Sequence, residues 1–201
     1  MNSFSTIGSS LVATNKYIDP DFNSDLYENT GLSFQGYSNG TYYGGAVNAF
    51  NSVAVSRKIT NLQSITTAFS GTGIDTGGDY FNGQWTGYFK SDFTGNWRFY
   101  LNTDNWSNFW LGDKARNNYV AGNRDLYDDF NIGTGEGGVL IYLQEGRYYP
   151  IRIQFGEEWG GQLFQFYFVR NGTTISNSTS YLYSVKSTVS IPRIGNPAVF
   201  I

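Results

Sequence analysis

Trp85 to Ala115 reads WTGYFKSDFTGNWRFYLNTDNWSNFWLGDKA, and the fold turns on this stretch. Trp97, Phe99 and Leu101 alternate with Arg98 and Tyr100. A period of two sends one set of side chains to a buried face and the other set to the opposite face of a strand. The turn-forming run SDFTGN precedes this strand and separates it from a first one, Trp85 to Lys90. The Asp104-Asn105 pair follows it and leads into a third, Phe109 to Leu111.

The same rhythm continues downstream. Val139, Ile141 and Leu143 alternate, QEGR (Gln144 to Arg147) supplies a hairpin-like turn, and Tyr149, Ile151, Ile153 and Phe155 alternate beyond it. GEEWGG (Gly156 to Gly161) reads as a loop, Phe164, Phe166 and Phe168 alternate after it, and Asn171-Gly172 carries the signal of a type I′ turn. Short strands with regular turn signals predict an all-β sandwich or barrel. GTGEGG (Gly133 to Gly138) reads as a flexible connection, and the Gly- and Tyr-rich run from Asn39 to Phe50 as loops around a short strand. Val53 and Val55 suggest a strand, and Ile59 to Ala68 a short helix. The acidic run Asp125 to Asp129 (DLYDD) lacks the glycine and terminal glutamate of an EF-hand loop and reads as a polar loop.

Composition agrees with that class. Of 201 residues, 18% are aromatic and 14% charged, with 25 glycines and 4 prolines, a mix that suits strands and many turns. A formal charge of -3 with no basic block argues against a nucleic-acid partner. There is no cysteine, hence no disulfide framework or thiolate metal site. There is no histidine either, which excludes Ser-His-Asp and Cys-His catalysis and the usual imidazole metal sites. Acid-base chemistry would fall to carboxylates, Tyr or Lys. The first residues carry no basic and apolar signal-peptide pattern, and no apolar run is long enough to span a membrane. The expected organisation is an N-terminal arm or linker over residues 1–30 with room for one short strand, a sandwich domain over 31–187, and a tail over 188–201. Pro192 and Pro197 keep that tail out of any central strand; it would cross the surface or dock on a neighbour.

Two short loops hold the chemistry. Asp104 to Ser107 joins two aromatic strands, and Gly156 to Gly161 joins two more, about 50 residues later. If both open at one end of the sandwich, a single rim holds Asp104, Asn105, Trp106, Glu157, Glu158 and Trp159. Carboxylate and amide oxygens are hard ligands that suit Ca²⁺ with its six to eight oxygens, a bound Ca²⁺ accepts vicinal sugar hydroxyls, and indole faces pack against the C–H side of a sugar ring. Spacing alone does not bring the loops together. The plain alternative is an Asx turn, two core or edge tryptophans and two solvated glutamates.

The stretch from Trp85 to Ala115 resembles the central segment of PA14-like domains, in particular their GLEYA and flocculin-type adhesin branch. The residues that carry the likeness are Gly87-Tyr88-Phe89, Thr94-Gly95, Trp97 to Leu101, Asp104-Asn105 and Trp110-Leu111-Gly112. EGRYYPIRIQFGEEWGGQLFQFYF resembles the later hairpin of the family, and GLSFQ (Gly31 to Gln35) is a loose echo of its name motif. The likeness covers about residues 31–185. It implies a PA14-like β-sandwich in which the acidic pair of the first loop, often across a cis peptide, binds Ca²⁺, the ion binds a sugar diol, and the second loop adds ligands and sets specificity. Carried over, Asp104 and Asn105 take the pair positions, Glu157 falls near the second-loop asparagine of flocculins, and Trp159 near an aromatic in that loop. Asn105 in place of the second aspartate removes one charge, which Glu157 could restore. The fungal cysteines and signal peptide are missing, which points instead to a surface without a secretion signal, such as a virion.

Three functions follow as expectations. The first is a calcium-dependent carbohydrate-binding module on a virus or phage particle or extracellular surface, with metal ligands Asp104, Asn105 and Glu157, sugar contacts from these and Trp106, Glu158 and Trp159, cell-surface or matrix glycans as partners, and arms that touch other particle proteins. The second is a structural virion protein that uses the same sandwich as a scaffold, with no active sugar site. The third is a glycosidase in which Asp104 and Glu157 sit about 5–5.5 Å apart for retention or 6.5–9.5 Å for inversion; a Ca²⁺-bound carboxylate is a poor proton donor, so no enzyme activity is expected.

Overall fold

The computed structural model describes residues 27–28, 31–38, 58–63, 80–129, 137–160, 163–175 and 178–185. Among these, two antiparallel sheets stack face to face. The larger contains β1 (Tyr27–Glu28), β2 (Leu32–Ser38), β3 (Lys58–Gln63), β4 (Phe81–Lys90), β6 (Trp106–Leu111), β7 (Leu126–Asp129), β9 (Tyr148–Glu157) and β12 (Leu182–Val185). Its main order is β1-β12-β4-β9-β6-β7, with β2 paired to both β3 and β4. The smaller contains β5 (Gly95–Asp104), β8 (Val139–Leu143), β10 (Leu163–Arg170) and β11 (Thr173–Thr174), in the order β11-β10-β5-β8.

The period-two runs become the inner faces. Trp97, Phe99 and Leu101 of β5 and Phe164, Phe166 and Phe168 of β10 meet Phe89, Phe109, Ile151, Ile153 and Phe155 of the large sheet in one core. Phe89 is its hub, edge-on to Trp97 at 5.1 Å, Phe99 at 5.3 Å and Phe168 at 5.1 Å. Each such ring contributes about 1.5–3 kcal/mol by leaving water, and edge-to-face pairs add about 0.5–1.5 kcal/mol each. The outward face of the large sheet is polar yet buried. Gln154 Nε2 donates to Gln84 Oε1 at 3.0 Å, and Arg124 Nη1 to Asn108 Oδ1 at 2.8 Å. All six residues of β6 are buried, which marks a strand covered on both sides.

Two expectations fail. The helix expected from Ile59 is in its described part the strand β3, paired along its whole length with β2. Pairing outweighs weak helical periodicity where β-branched Ile59 and Thr60 fit a strand. Asp125 to Asp129 is not a polar loop, because Leu126–Asp129 form β7 against β6. Its alternation buries Leu126 and Asp128, and Asp125 is spent on a clasp. Asp125 Oδ2 accepts Leu111 N at 2.7 Å and Oδ1 pairs with Lys114 Nζ at 2.5 Å, at the start of the short helix α1 (Lys114–Asn117). The type I′ turn holds: Asn171 and Gly172 have φ of 47° and 78° and close β10 onto β11. Of the expected arm, Tyr27–Glu28 pair with β12. The remainder of the arm, the tail, residues 39–50, Val53 and Val55 lie outside the described residues.

Candidate functional site

The two loops meet because of where the chain changes sheets. It leaves the small sheet at Asp104, the last residue of β5, and enters the large sheet at Trp106, the first of β6. It crosses back after Glu157, the end of β9, and resumes in the small sheet at Leu163 of β10. β5 pairs with β10 through Asp104 opposite Leu163, and β6 pairs with β9 through Trp106 opposite Gly156. The two crossings are therefore bracketed by the same pairs of strands and must share one end of the sandwich.

Asn105 bridges them. Its backbone N donates to Gly156 O at 3.3 Å, and its side-chain Oδ1 accepts Glu158 N at 2.7 Å. The Asp104-Asn105 peptide bond is cis. Trp106 is buried, and its indole lies directly over Gly156. A Cβ at Gly156 would stand 2.2 Å from Trp106 Nε1, so only glycine fits below the ring. Beneath the first loop, Asp128 Oδ2 accepts Thr103 N at 2.7 Å, and the Thr103 and Ser107 hydroxyls lie 2.9 Å apart. These buried groups hold both ends of the Asp104-Trp106 link.

Each residue expected at the rim can now be placed. Asp104 and Asn105 are half-buried at the crossing. The Asp104 carboxylate makes no hydrogen bond or ion pair among the described residues. Glu158 is half-buried, its backbone is tied to Asn105 and Tyr80, and its carboxylate likewise makes none. Glu157 is 0% exposed. It is the last residue of a strand whose other odd-numbered positions, Tyr149 to Phe155, belong to the core, so it lies at the inner lip rather than on the open rim. Trp159 is the contrasting residue at 66% exposure. Trp106 forms part of the floor and Trp110 is buried. The structure thus joins Asn105 to Glu158 by a direct hydrogen bond and sets Asp104 and Trp159 beside them in sequence. Sequence reasoning missed Gly156 as the seat of Trp106 and Asp128 as the brace of the loop. The Leu126/Asp128 alternation was the available signal for the latter.

A hard cation can be tested against this donor set. The rim offers the Asp104 and Glu158 carboxylates, the Asn105 amide oxygen and backbone carbonyls, all oxygen donors of the kind Ca²⁺ takes. No group of three or more acidic side chains converges among the described residues, so a Ca²⁺ here would draw the rest of its six to eight oxygens from amide, backbone and water. The residues fit the ion in kind, with fewer charges than a carboxylate cage. No helix among the described residues is long and apolar enough to cross a membrane.

Comparison with known proteins agrees with this architecture. The sequence model of the GLEYA domain matches residues 81–170, the span that contains both crossings. The structure is similar to the A domain of epithelial adhesin 9 from Candida glabrata, solved in complex with Galβ1-3GlcNAc, with a TM-score of 0.65 at 15% identity over 87% of this chain and 96% of that one. It is similar to the epithelial adhesin 6 A domain of the same organism, also in complex with Galβ1-3GlcNAc, with a TM-score of 0.62 at 17% identity over 86% and 93%. It also resembles the PA14 domain of the antifreeze protein MpAFP, with a TM-score of 0.58 at 14% identity over 86% and 100%. No curated protein sequence matches the chain. Residues 81–170 thus match the GLEYA domain, and the described residues share the PA14-like β-sandwich fold of these solved domains.

Proposed function

We propose that the protein is a carbohydrate-binding module of the adhesin or lectin kind, that its binding depends on Ca²⁺, and that it binds glycans without cleaving them. The observation that carries this reading is the Asp104 carboxylate, unspent among the described residues, at a crossing where Asn105 ties the first loop to Glu158 of the second. Asp104, Asn105 and Glu157, the last residue of β9, would hold the ion, Glu157 from the inner lip, with Glu158 just past the strand end adding a rim carboxylate. A bound Ca²⁺ supplies open coordination positions for a sugar diol. Trp159, which keeps two thirds of its surface in water, would cover the apolar face of the ring, with Trp106 fixing the floor. The solved neighbours from Candida glabrata bind galactosides, which supports a terminal hexose as the ligand here. A single shallow site of this kind binds weakly, and many copies raise the avidity. Display on the virus or phage particle or extracellular surface expected from the sequence would supply those copies.

The test is a glycan array followed by calorimetry, with Ca²⁺ and with EDTA. Binding should vanish with EDTA and with Asp104→Ala. With Ca²⁺ at about a hundredfold over its Kd, folding stability should rise by about 2.7 kcal/mol. Sugar binding that survives both treatments removes the metal from the reading. Absence of any bound glycan on a broad array leaves the sandwich as a scaffold, and release of reducing sugar would make it an enzyme.

A further inference from the structure

We infer that the outward face of the four-stranded sheet binds an extended neutral glycan chain that enters it from the Asp104 rim, an inference that rests on reading that rim as a sugar site. The register gives the path. In β5, Trp97, Phe99, Leu101 and Thr103 are buried, and the alternate positions from Asn96 to Asp104 stand on the opposite face, partly or fully exposed. Asp104 is therefore both the rim residue and the last member of this outward row. β10 sets Gln165 beside Asn102, Tyr167 beside Tyr100 and Val169 beside Arg98, and β8 sets Leu140 beside Arg98 on the other side. From Asp104 to Asn96 the row covers eight residue steps, about 26 Å at ~3.3 Å each. A disaccharide at the rim would leave most of that length unused.

The chemistry along the row suits a sugar chain. Next to the rim, Asn102 Nδ2 donates to Gln165 Oε1 at 3.0 Å. That bond fixes both amides and leaves Asn102 Oδ1 as an acceptor and Gln165 Nε2 as a donor, the pair that a hydroxyl needs. One row further, the Tyr100 and Tyr167 rings stack at 4.6 Å and 8°. A Cβ at Gly138 would lie 2.7 Å from Tyr100 Cε1, so Tyr100 is wedged upright and presents ring edge and hydroxyl. Beyond it opens a trough of about 450 Å³, walled by Phe93, Leu140 and Val169 with Arg98 and Asn171 among its polar groups. Leu140 keeps 53% of its surface in water. Apolar surface thus alternates with amide and hydroxyl groups, as C–H faces alternate with hydroxyls along a glycan. Arg98 is the single charge on the row below Asp104, and its Nη1 already donates to Gly137 O at 3.0 Å, so the face favours a neutral chain over an acidic one.

The experiment compares affinities of the intact protein for N-acetyllactosamine and for its linear tetra- and hexasaccharide repeats, with linear mannose oligomers of the same lengths as a second series. Wild type should bind the hexasaccharide of one series about tenfold more tightly than the disaccharide. Tyr100→Ala and Gln165→Ala should each erase most of that gain and leave disaccharide affinity within about twofold, which also reports that the variants fold. Disaccharide binding that Asp104→Ala abolishes, with affinity flat in chain length and unmoved by both variants, overturns the extended face and leaves the rim standing. No binding at any length in either series overturns both. A self-associating wild type that Tyr100→Ala renders monomeric, measured by sedimentation without sugar, would make this face a contact between copies and overturn the inference.

Discussion

Both ends of the sandwich carry chain crossings between the sheets, and they spend their polar groups differently. At the end away from the rim, the crossings are Ser91 to Thr94 and Gln144 to Arg147. Ser91 N donates to Arg147 O at 3.0 Å, Gly146 N to Ser91 O at 2.7 Å, Glu145 N to Thr94 Oγ1 at 2.9 Å and Gln144 N to the Tyr149 hydroxyl at 2.7 Å. Asp92, the acid at that end, is held by Arg170 and by the Tyr181 hydroxyl. At the rim, three backbone groups and one side-chain amide join the loops, while Asp104 and Glu158 keep their carboxylates unspent among the described residues and Trp159 its ring in water. An aspartate at a crossing can be a fastener or a ligand. The difference between Asp92 and Asp104 lies in whether a cation from a neighbouring strand reaches it.

The strongest way to break that contrast is from below. Gly156→Ala drives a methyl group into the Trp106 indole, so the ring and the Asn105 link above it must shift. Stability should drop by about 1–3 kcal/mol, as for other overpacked sites, and sugar binding should go with it. Asp128→Ala leaves the buried Thr103 N–H without its acceptor, a loss of about 1–3 kcal/mol; denaturant titration measures both variants. Asp104→Ala separates the two properties. As a half-buried rim residue with no partner among the described residues, it should change stability by no more than about 0.5 kcal/mol and still abolish binding. An Asp104→Ala protein that melts early instead would make Asp104 a fastener like Asp92. At the other end, Asp92→Ala breaks the half-exposed pair with Arg170. It should cost under about 1 kcal/mol and leave every binding constant at the rim where it was.

How much of this was legible follows from which forces act locally. The strands β5, β8 and β10 show in sequence because each has one face in the core, and burial writes a period of two; β9 is buried on both sides and shows because its inner positions, Tyr149, Ile151, Ile153 and Phe155, are all apolar. β4 and β6 were seen only in part, since Asn82, Gln84, Ser107 and Asn108 are polar and still buried, so residue polarity there does not mark a strand boundary. The missed strand β3 depends on its pairing with β2, a non-local fact. At the site, residue types could nominate Asp104, Asn105 and the Glu157-Trp159 run, but their meeting is a consequence of register, Asp104 opposite Leu163 and Trp106 opposite Gly156, and no spacing encodes that. Nor could sequence tell Glu157, turned to the inner lip, from Glu158, tied to Asn105. That choice is made by where β9 stops, one residue past the expected loop start.

The smallest effect expected is a pH signature confined to the end opposite the rim. Burial pushes the Tyr149 phenol above its ordinary value of 10.0, only partly offset by the Gln144 backbone N–H that its oxygen accepts. Burial, followed by the hydrogen bond to Asp92, pushes Tyr181 the same way. As pH rises through 10, the unfolded chain releases these protons before the folded one does. The folded state then binds more protons than the unfolded state, so unfolding free energy falls with pH. The contribution of these groups is whole below pH 10 and disappears as pH climbs through their raised folded values. Denaturant titrations across that range should show a shallower alkaline decline in Tyr149→Phe and Tyr181→Phe than in wild type. Asp104→Ala, whose change lies at the other end, should keep the wild-type slope. Equal slopes in all four proteins would show that the two phenols do not set the alkaline limit, and would remove this chemical distinction between the two ends.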